Sequence, residues 1–124
     1  MPWDKDELAR IAANDDLHVS PLRTDGKTYG TPTWIWSVAV DGELYVRAYN
    51  GQSSSWYKAA VARRAGRISA AGMTRDVAFA PVEGEINERI DAAYKAKYAE
   101  SPYLAPMIGR RARAATVRIN PSRA

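Results

Sequence analysis

The dipeptide Asp41-Gly42 separates two runs of alternating side chains, and it constrains this chain more than any other feature. Small or polar residues alternate with larger apolar ones over 31–40, and the alternation resumes over 43–49. A period of two is typical of a β-strand, and Asp-Gly favours the positive φ angles of a two-residue hairpin turn. We therefore expect an antiparallel hairpin across this stretch. The first strand carries Trp34 and Trp36 on one face, where core or dimer-interface packing is favoured over a ligand site.

The second strand leads into a polar loop, residues 50–55, and a helix that begins near Trp56. A helix N-terminus offers unpaired amide groups and the positive end of its dipole, so this serine-rich loop predicts a seat for an anion. The alternative is that one serine only caps the helix. Arg47 shares its strand face with Tyr45 and Tyr49, and either a ligand contact or cation–π stacking on a solvated face is consistent with that position.

Periodicity and capping signals predict the remaining elements. They are a helix at 4–14 capped by Asp4, a strand at 17–23 placed at a sheet edge by Pro21, a helix at 56–65 ended by Gly66, strands at 67–71 and 76–82, a helix at 83–100, a connector or single helical turn at 103–108 and a strand at 113–119. Six short strands with tight turns predict a mainly β, α+β fold: a six-stranded antiparallel barrel with three to four flanking helices. One domain spans 1–124, with an N-terminal helix in 1–16 and the barrel and its helices in 17–121.

The net charge of +4 raises the question of nucleic-acid binding. Five arginines after Gly109, with no acidic residue beyond Glu100, account for this excess, so the rest of the chain is close to neutral. The predicted strand at 113–119 places arginines on an outer face, and nucleic acid is not an expected partner.

The chain has no cysteine and one histidine, His18, which we expect on a strand surface rather than at a metal. No metal site is predicted. The acidic N-terminal stretch is not typical of a signal peptide, and no apolar run is long enough to span a membrane. We expect a cytoplasmic protein.

Three motifs together resemble the FMN-binding split-barrel superfamily, and in particular its deazaflavin-dependent nitroreductase branch. They are the run DGKTYGTP at 25–32 before a strand, YVRAYNG at 45–51, and WYKAA at 56–60. Within the superfamily the chain resembles a family of small bacterial proteins known only as a domain of unknown function. The likeness covers residues 17–121 and implies a six-stranded split barrel.

The resemblance also implies a site. A flavin or deazaflavin would lie in a groove, with its phosphate at the loop and helix start. The implied cofactor-binding residues are Lys27, Arg47, Tyr49, Asn50, Gly51, Ser53, Ser54, Ser55 and Trp56. Tyr94, Tyr98 and Tyr103 occupy the region in which the nitroreductase branch places tyrosines over its substrate, although helix packing is the alternative for Tyr94 and Tyr98. The superfamily is often homodimeric.

Two cationic positions of the nitroreductase branch differ here, because the loop before Trp56 holds no Lys or Arg and Tyr29 stands at the other position. Each charge-assisted contact to a phosphate contributes about 1.5–3 kcal/mol. The missing cations motivate the alternative below. The resemblance and the serine-rich helix start motivate the first hypothesis, a flavin- or deazaflavin-dependent oxidoreductase that acts on a small organic substrate. The alternative is a non-catalytic module of the same fold that binds a small molecule or cofactor.

Overall fold

The computed structural model describes residues 3–122, which form five α-helices and seven β-strands. The helices are α1 (Lys5–Ala12), α2 (Ser55–Arg63), α3 (Ile86–Lys97), α4 (Leu104–Met107) and α5 (Arg110–Arg113). The strands are β1 (His18–Pro21), β2 (Thr33–Trp34), β3 (Ser37–Val40), β4 (Glu43–Arg47), β5 (Ala65–Ala70), β6 (Met73–Pro81) and β7 (Thr116–Pro121), and a 3₁₀ turn covers Gly51–Ser53.

All seven strands belong to one antiparallel sheet with the order β2-β1-β5-β6-β7-β4-β3. The strands at its two edges, β2 and β3, are separated in sequence only by Ile35 and Trp36. Three peptide units span at most roughly 11 Å, so the two edges must lie close together. The sheet is therefore curled into a half-barrel. The predicted α+β class is confirmed, with seven strands rather than six and five helices rather than three to four.

The extra strand comes from the stretch that was expected to be one strand at 31–40. Thr33 and Trp34 pair with β1 at one edge, whereas 37–40 pairs with β4 at the other. Alternation continues through the break: Ile35 faces the core inside the curled sheet, and Trp36 packs on the outer side with α3. Alternation reports which face a residue occupies, and it does not report which strand lies beside it.

The hairpin turn itself is confirmed. Asp41 and Gly42 have φ angles of 52° and 80°, and Val40 pairs with Glu43 in the register of a two-residue turn. The next connection was expected as a loop over 72–75, but it is a two-residue turn at Ala71 and Gly72, which also have positive φ, and β6 begins at Met73.

Two apolar clusters hold the fold together. Leu44 and Val46 of β4 point into the curled sheet, where they join the larger cluster. Tyr45 points to the opposite face and packs under α3 against Ile90 and Tyr94. β4 is thus buried on both faces. Its apolar side chains face the inside of the curled sheet, and Tyr45 and Arg47 lie on the side covered by α3.

The end of α2 differs from the prediction. Arg64, with φ of 60°, takes the left-handed position that was assigned to Gly66. Gly66 instead lies inside β5. The position requires a glycine because a Cβ there would stand 2.7 Å from Pro21 Cα and 2.7 Å from Ser20 O. The glycine marks close packing between β1 and β5, not a helix end.

Pro21 was also misread as an edge signal. β1 lies between β2 and β5, so it is not an edge strand. The proline is tolerated because it is the last residue of the strand and β2 pairs only with His18 and Val19, so the missing N–H interrupts no pairing with β2. Near the C-terminus, Arg113 belongs to α5 and β7 begins only at Thr116, so the strand predicted at 113–119 starts too early. Among residues 3–122, no helix is both long and apolar enough to cross a membrane.

Candidate functional site

A cavity of about 780 Å³ opens where the two sheet edges meet. Three parts of the chain line it. The crossing between β2 and β3 contributes 33–36, together with Asp15. The end of β4 and the start of α2 contribute Arg47, Tyr49, Asn50, Ser54, Ser55 and Trp56, and the stretch from the end of α3 through α4 contributes Tyr98, Ser101, Tyr103 and Met107. Small-molecule and cofactor sites typically measure about 300–1,000 Å³, so the cavity has the size of such a site.

Exposed aromatic side chains are concentrated at this cavity. In the described part of the chain, the large apolar side chains that remain exposed are Trp34 (52%), Tyr49 (38%) and Tyr103 (59%), and all three line it. The rings of Tyr49 and Tyr103 meet edge to face with centroids 6.1 Å apart. Aromatic surface left in water costs free energy that a bound apolar group would recover. The cavity therefore favours a ligand with a ring system.

Tyr98 and Asp15 form the polar part of the cavity wall. The Tyr98 hydroxyl donates to Asp15 Oδ1 at 2.8 Å and accepts from the backbone N–H of Ser37 at 3.2 Å. Burial raises the pKa of Tyr98, and the neighbouring Asp15 carboxylate raises it further. The phenol is therefore held in its neutral form and is already hydrogen-bonded within the protein.

Arg47, the last residue of β4, borders the cavity but is bound entirely by the protein. Its side chain is fully buried, and its five N–H groups have five hydrogen bonds. Nε donates to Thr116 Oγ1, Nη1 to Asp91 and to Met107 O, and Nη2 to the carbonyl and side-chain oxygens of Asn87. A guanidinium has five donors, so this arrangement leaves none for a ligand. Arg47 ties β4 to β7, α3 and α4.

The loop after β4 presents the N-terminus of α2 to the cavity. Ser54 occupies the N-cap position, but its side chain makes no capping hydrogen bond. The first amides of a helix have no partner within the helix. Ser53, the other candidate cap, donates its hydroxyl to Asn50 O at 3.2 Å instead. The serine-cap alternative therefore finds no support in the geometry, and the amides at the start of α2 are not blocked by a serine hydroxyl.

A family described as "uncharacterized protein conserved in bacteria" (DUF2255) matches residues 7–119. The chain belongs to this family. No curated protein matches the sequence. The crystal structure of the conserved hypothetical protein Rv2991 from Mycobacterium tuberculosis is similar with a TM-score of 0.60 at 15% identity, over 97% of this chain and 80% of that one. At that identity the similarity concerns the fold alone.

In this DUF2255 protein, most of the residues predicted for the cofactor do meet at one cavity. Those that line it are Arg47, Tyr49, Asn50, Ser54, Ser55 and Trp56. Lys27 does not line it; it is exposed in a turn between β1 and β2, where its N–H donates to Asp25. Gly51 lies behind the wall, with φ of 79° and packed against Arg111, and Ser53 is also outside the lining.

The three tyrosines predicted near the substrate do not all lie at the cavity. Tyr98 and Tyr103 line the cavity, whereas Tyr94 is fully buried on the inner face of α3, with its ring centroid 5.4 Å from the Arg47 guanidinium carbon. The packing alternative thus describes Tyr94. His18 lies in β1, where Nδ1 is 3.0 Å from Asp16 O, and among residues 3–122 no three His, Cys, Asp or Glu side chains are arranged to hold a metal ion.

Sequence reasoning missed two features of the cavity. Trp34 was assigned to a core or an interface, yet it is exposed and lines the cavity. Trp36 packs against the apolar cluster under α3 as expected, and it also borders the cavity. Asp15 was not singled out, because it lies in an irregular segment after α1 and no motif surrounds it. One signal was present: Asp15 is part of a short polar run, residues 14–16, between two apolar patterns, which is where loop residues with functional side chains often lie.

Proposed function

We propose that this protein is a flavin- or deazaflavin-dependent oxidoreductase that acts on a small organic substrate and holds the cofactor ring in the aromatic cavity. The observation that carries the proposal is the convergence of Trp34, Tyr49 and Tyr103, the exposed large apolar side chains of the described chain, on one cavity that also reaches the start of α2. A tricyclic ring system would cover this aromatic surface. We keep a cytoplasmic homodimer as a prediction.

The residues present fit the ring of such a cofactor. The cavity is mostly apolar and is bounded by the aromatic side chains of Trp34, Tyr49, Trp56 and Tyr103. Offset or edge contacts between aromatic rings contribute about 0.5–1.5 kcal/mol beyond the area that they bury. Met107, buried at the back of the cavity, adds a flexible apolar contact.

The fit to the phosphate rests on neutral donors. Ser54 and Ser55 line the cavity at the N-terminus of α2, where the helix dipole favours an anion. Arg47 does not contribute, because its donors are committed to the protein. We therefore expect the phosphate to add less to affinity than it does in a site with a free cation.

Within the proposed reaction, the cofactor when bound supplies the electrons and the hydride. The residues of this chain bind and orient the cofactor and the substrate. The aromatic walls of the cavity exclude water, and Trp36, stacked on Tyr98, forms a rigid part of its wall. Tyr98 keeps its proton, since its hydroxyl is hydrogen-bonded to Asp15 and its pKa is raised.

The second candidate is a module that binds a small molecule without a redox step. Two observations favour it: Arg47 has no free donor, and the Tyr98 hydroxyl is already engaged. Under this alternative the cavity and its aromatic walls keep their binding role, and no turnover follows.

The binding step is tested by titrating the protein with riboflavin, FMN and a 5-deazaflavin while following tryptophan fluorescence, because three of the four tryptophans line the cavity. Ser55→Asp places a carboxylate at the first position of α2, which is favourable for the helix but repels a phosphate. It should weaken FMN binding about tenfold and leave riboflavin unchanged. Ser53→Asp, outside the lining, carries the same charge and is the matched control.

Catalysis is tested separately by following oxidation of reduced cofactor with quinone or nitroarene acceptors. Saturable quenching with turnover supports the oxidoreductase. Saturable quenching without turnover favours the binding module. If neither flavins nor the deazaflavin quench fluorescence at high micromolar concentration, the cofactor proposal is wrong.

A further inference from the structure

Asp15 supplies the one carboxylate among the side chains that line the cavity. It is exposed, and its Oδ1 accepts the Tyr98 hydroxyl. Among the described residues no cation lies within 4 Å of it to form an ion pair. The Lys97 ammonium donates a hydrogen bond to Ser37 O at 2.7 Å. From there its positive charge interacts electrostatically with the Asp15 carboxylate without direct contact. The carboxylate therefore keeps its capacity to accept further hydrogen bonds.

No cation in the cavity wall is free to balance this charge. Arg47 is the cationic residue of the lining, and its charge is compensated by Asp91 and enclosed by the protein. Asp16 follows Asp15 in the chain and adds a second negative charge nearby, with its carboxylate accepting from Ala71 N. Two carboxylates, those of Asp15 and Asp16, therefore stand against one ammonium, that of Lys97, so a ligand approaching this part of the cavity meets an excess of negative charge.

An aromatic face accompanies the carboxylate. The indole N–H of Trp34 donates to the backbone carbonyl of Asp15 at 2.8 Å, so the ring and the acidic residue are held together. Trp34 is 52% exposed, which leaves ring surface open to the cavity. Indole is the side chain that attracts cations most strongly through its π-electrons, and aromatic rings beside a carboxylate are the chemistry that recognises organic ammonium groups.

We propose that the Trp34 side of the cavity is a subsite for an organic cation, whose positively charged nitrogen lies against the Trp34 ring with Asp15 as its counter-ion. This inference rests on the proposed function only in taking the cavity as the ligand site, and it names the class of substrate. The substrate class is a nitrogen-containing aromatic or alkylated cation rather than a carboxylate or a phosphate. The α2 end of the cavity remains available to the cofactor.

The test uses three probes with one ring system and different charge: N-methylquinolinium, quinoline and quinoline-4-carboxylate. Binding is measured by calorimetry at pH 8 without any flavin. We expect N-methylquinolinium to bind about tenfold more tightly than quinoline, and the carboxylate to bind most weakly. In Asp15→Asn the preference for the cation should fall to about threefold, because the counter-ion is lost and only the Trp34 ring still attracts the cation.

Two variants separate this effect from a general change of charge or fold. Asp41→Asn makes the same change in net charge at the hairpin turn, outside the cavity lining, and should keep the tenfold preference. Tyr98→Phe removes the hydroxyl that Asp15 accepts while leaving its charge, so the preference for the cation should persist or increase. Circular dichroism checks that each variant is folded.

The inference is overturned if N-methylquinolinium fails to bind, if quinoline binds as tightly as the cation, or if the full tenfold preference survives Asp15→Asn. Flavin titration tests the proposed cofactor binding independently of the cation subsite. A protein that prefers the cation but binds no flavin keeps the subsite and loses the oxidoreductase. One that binds flavin with no preference for the cation loses only the subsite.

Discussion

The ring of Trp36 stacks on the ring of Tyr98, with centroids 3.9 Å apart and planes inclined by 2°. Trp36 lies in the two-residue crossing between the sheet edges, and Tyr98 is the C-cap of α3. The contact fixes the helix end against the place where the half-barrel closes. It also brings the Tyr98 hydroxyl to Asp15, so one stacked pair supports both the fold and a wall of the cavity.

Asp91→Ala should strongly destabilise the protein. Asp91 is the carboxylate partner of the fully buried Arg47, and it also lies 3.3 Å from Arg113 Nε. Removing one partner of a buried ion pair leaves a charge without compensation, and we expect the free energy of unfolding to fall by about 3–5 kcal/mol. Urea denaturation measures it. Arg89→Ala breaks an exposed pair with Asp41 and should cost less than about 1 kcal/mol; equal losses for the two variants would contradict the assignment.

The protein should lose stability above pH 10 through its buried tyrosines. Burial raises the pKa of Tyr94 above its usual 10.0, so the unfolded chain ionises at a pH where the folded chain does not. The stabilising difference is therefore fully present below pH 10 and is lost as pH rises, by about 1.4 kcal/mol per tyrosine at pH 11. Tyr94→Phe should flatten this dependence in denaturation curves from pH 8 to 11. Tyr103→Phe, which removes an exposed hydroxyl, should leave the slope unchanged.

Gly66→Ala should destabilise the sheet although alanine is a small residue. The added Cβ would stand 2.7 Å from two backbone atoms, Pro21 Cα and Ser20 O, and backbone cannot move aside as a side-chain end can. Overpacking of this kind costs about 1–3 kcal/mol, which thermal unfolding would show as a lower Tm. Gly30→Ala makes a single contact at 3.2 Å with Pro21 O and should cost less. A Gly66→Ala protein with unchanged Tm would mean that β1 and β5 are less closely packed.

Trp34→Ala should weaken ligand binding while leaving stability nearly unchanged. Half of the Trp34 side chain is exposed, so little core packing is lost when it is removed. Its ring is part of the proposed binding surface, and base- or ring-stacking contacts of this kind are worth about 1–3 kcal/mol. Fluorescence titration with FMN and with N-methylquinolinium measures the loss, and urea denaturation measures stability. A variant with unchanged affinity for both would exclude Trp34 from the site.

Local sequence patterns predicted much of the fold because they act over short distances. Asp-Gly gave the hairpin turn, and Asp4 caps α1 as expected, accepting from Glu7 N at 3.1 Å. Most of the residues that the family resemblance grouped around the end of β4 and the start of α2 line one cavity, since a strand followed at once by a helix places its loop residues together. Their role in binding a cofactor stays a prediction. The predicted oxidoreductase activity and its cofactor remain proposals.

The sequence alone determined where the chain turns and which face each strand residue takes, because φ preferences and a period of two are properties of neighbouring residues. Only the tertiary structure decided that residues 33–34 and 37–40 join opposite edges of the sheet, since strand partners are chosen by packing between distant segments. It likewise decided that Arg47 serves the protein rather than a ligand. Its five acceptors come from β7, α3 and α4, and a buried charge must be satisfied by whatever the fold places around it.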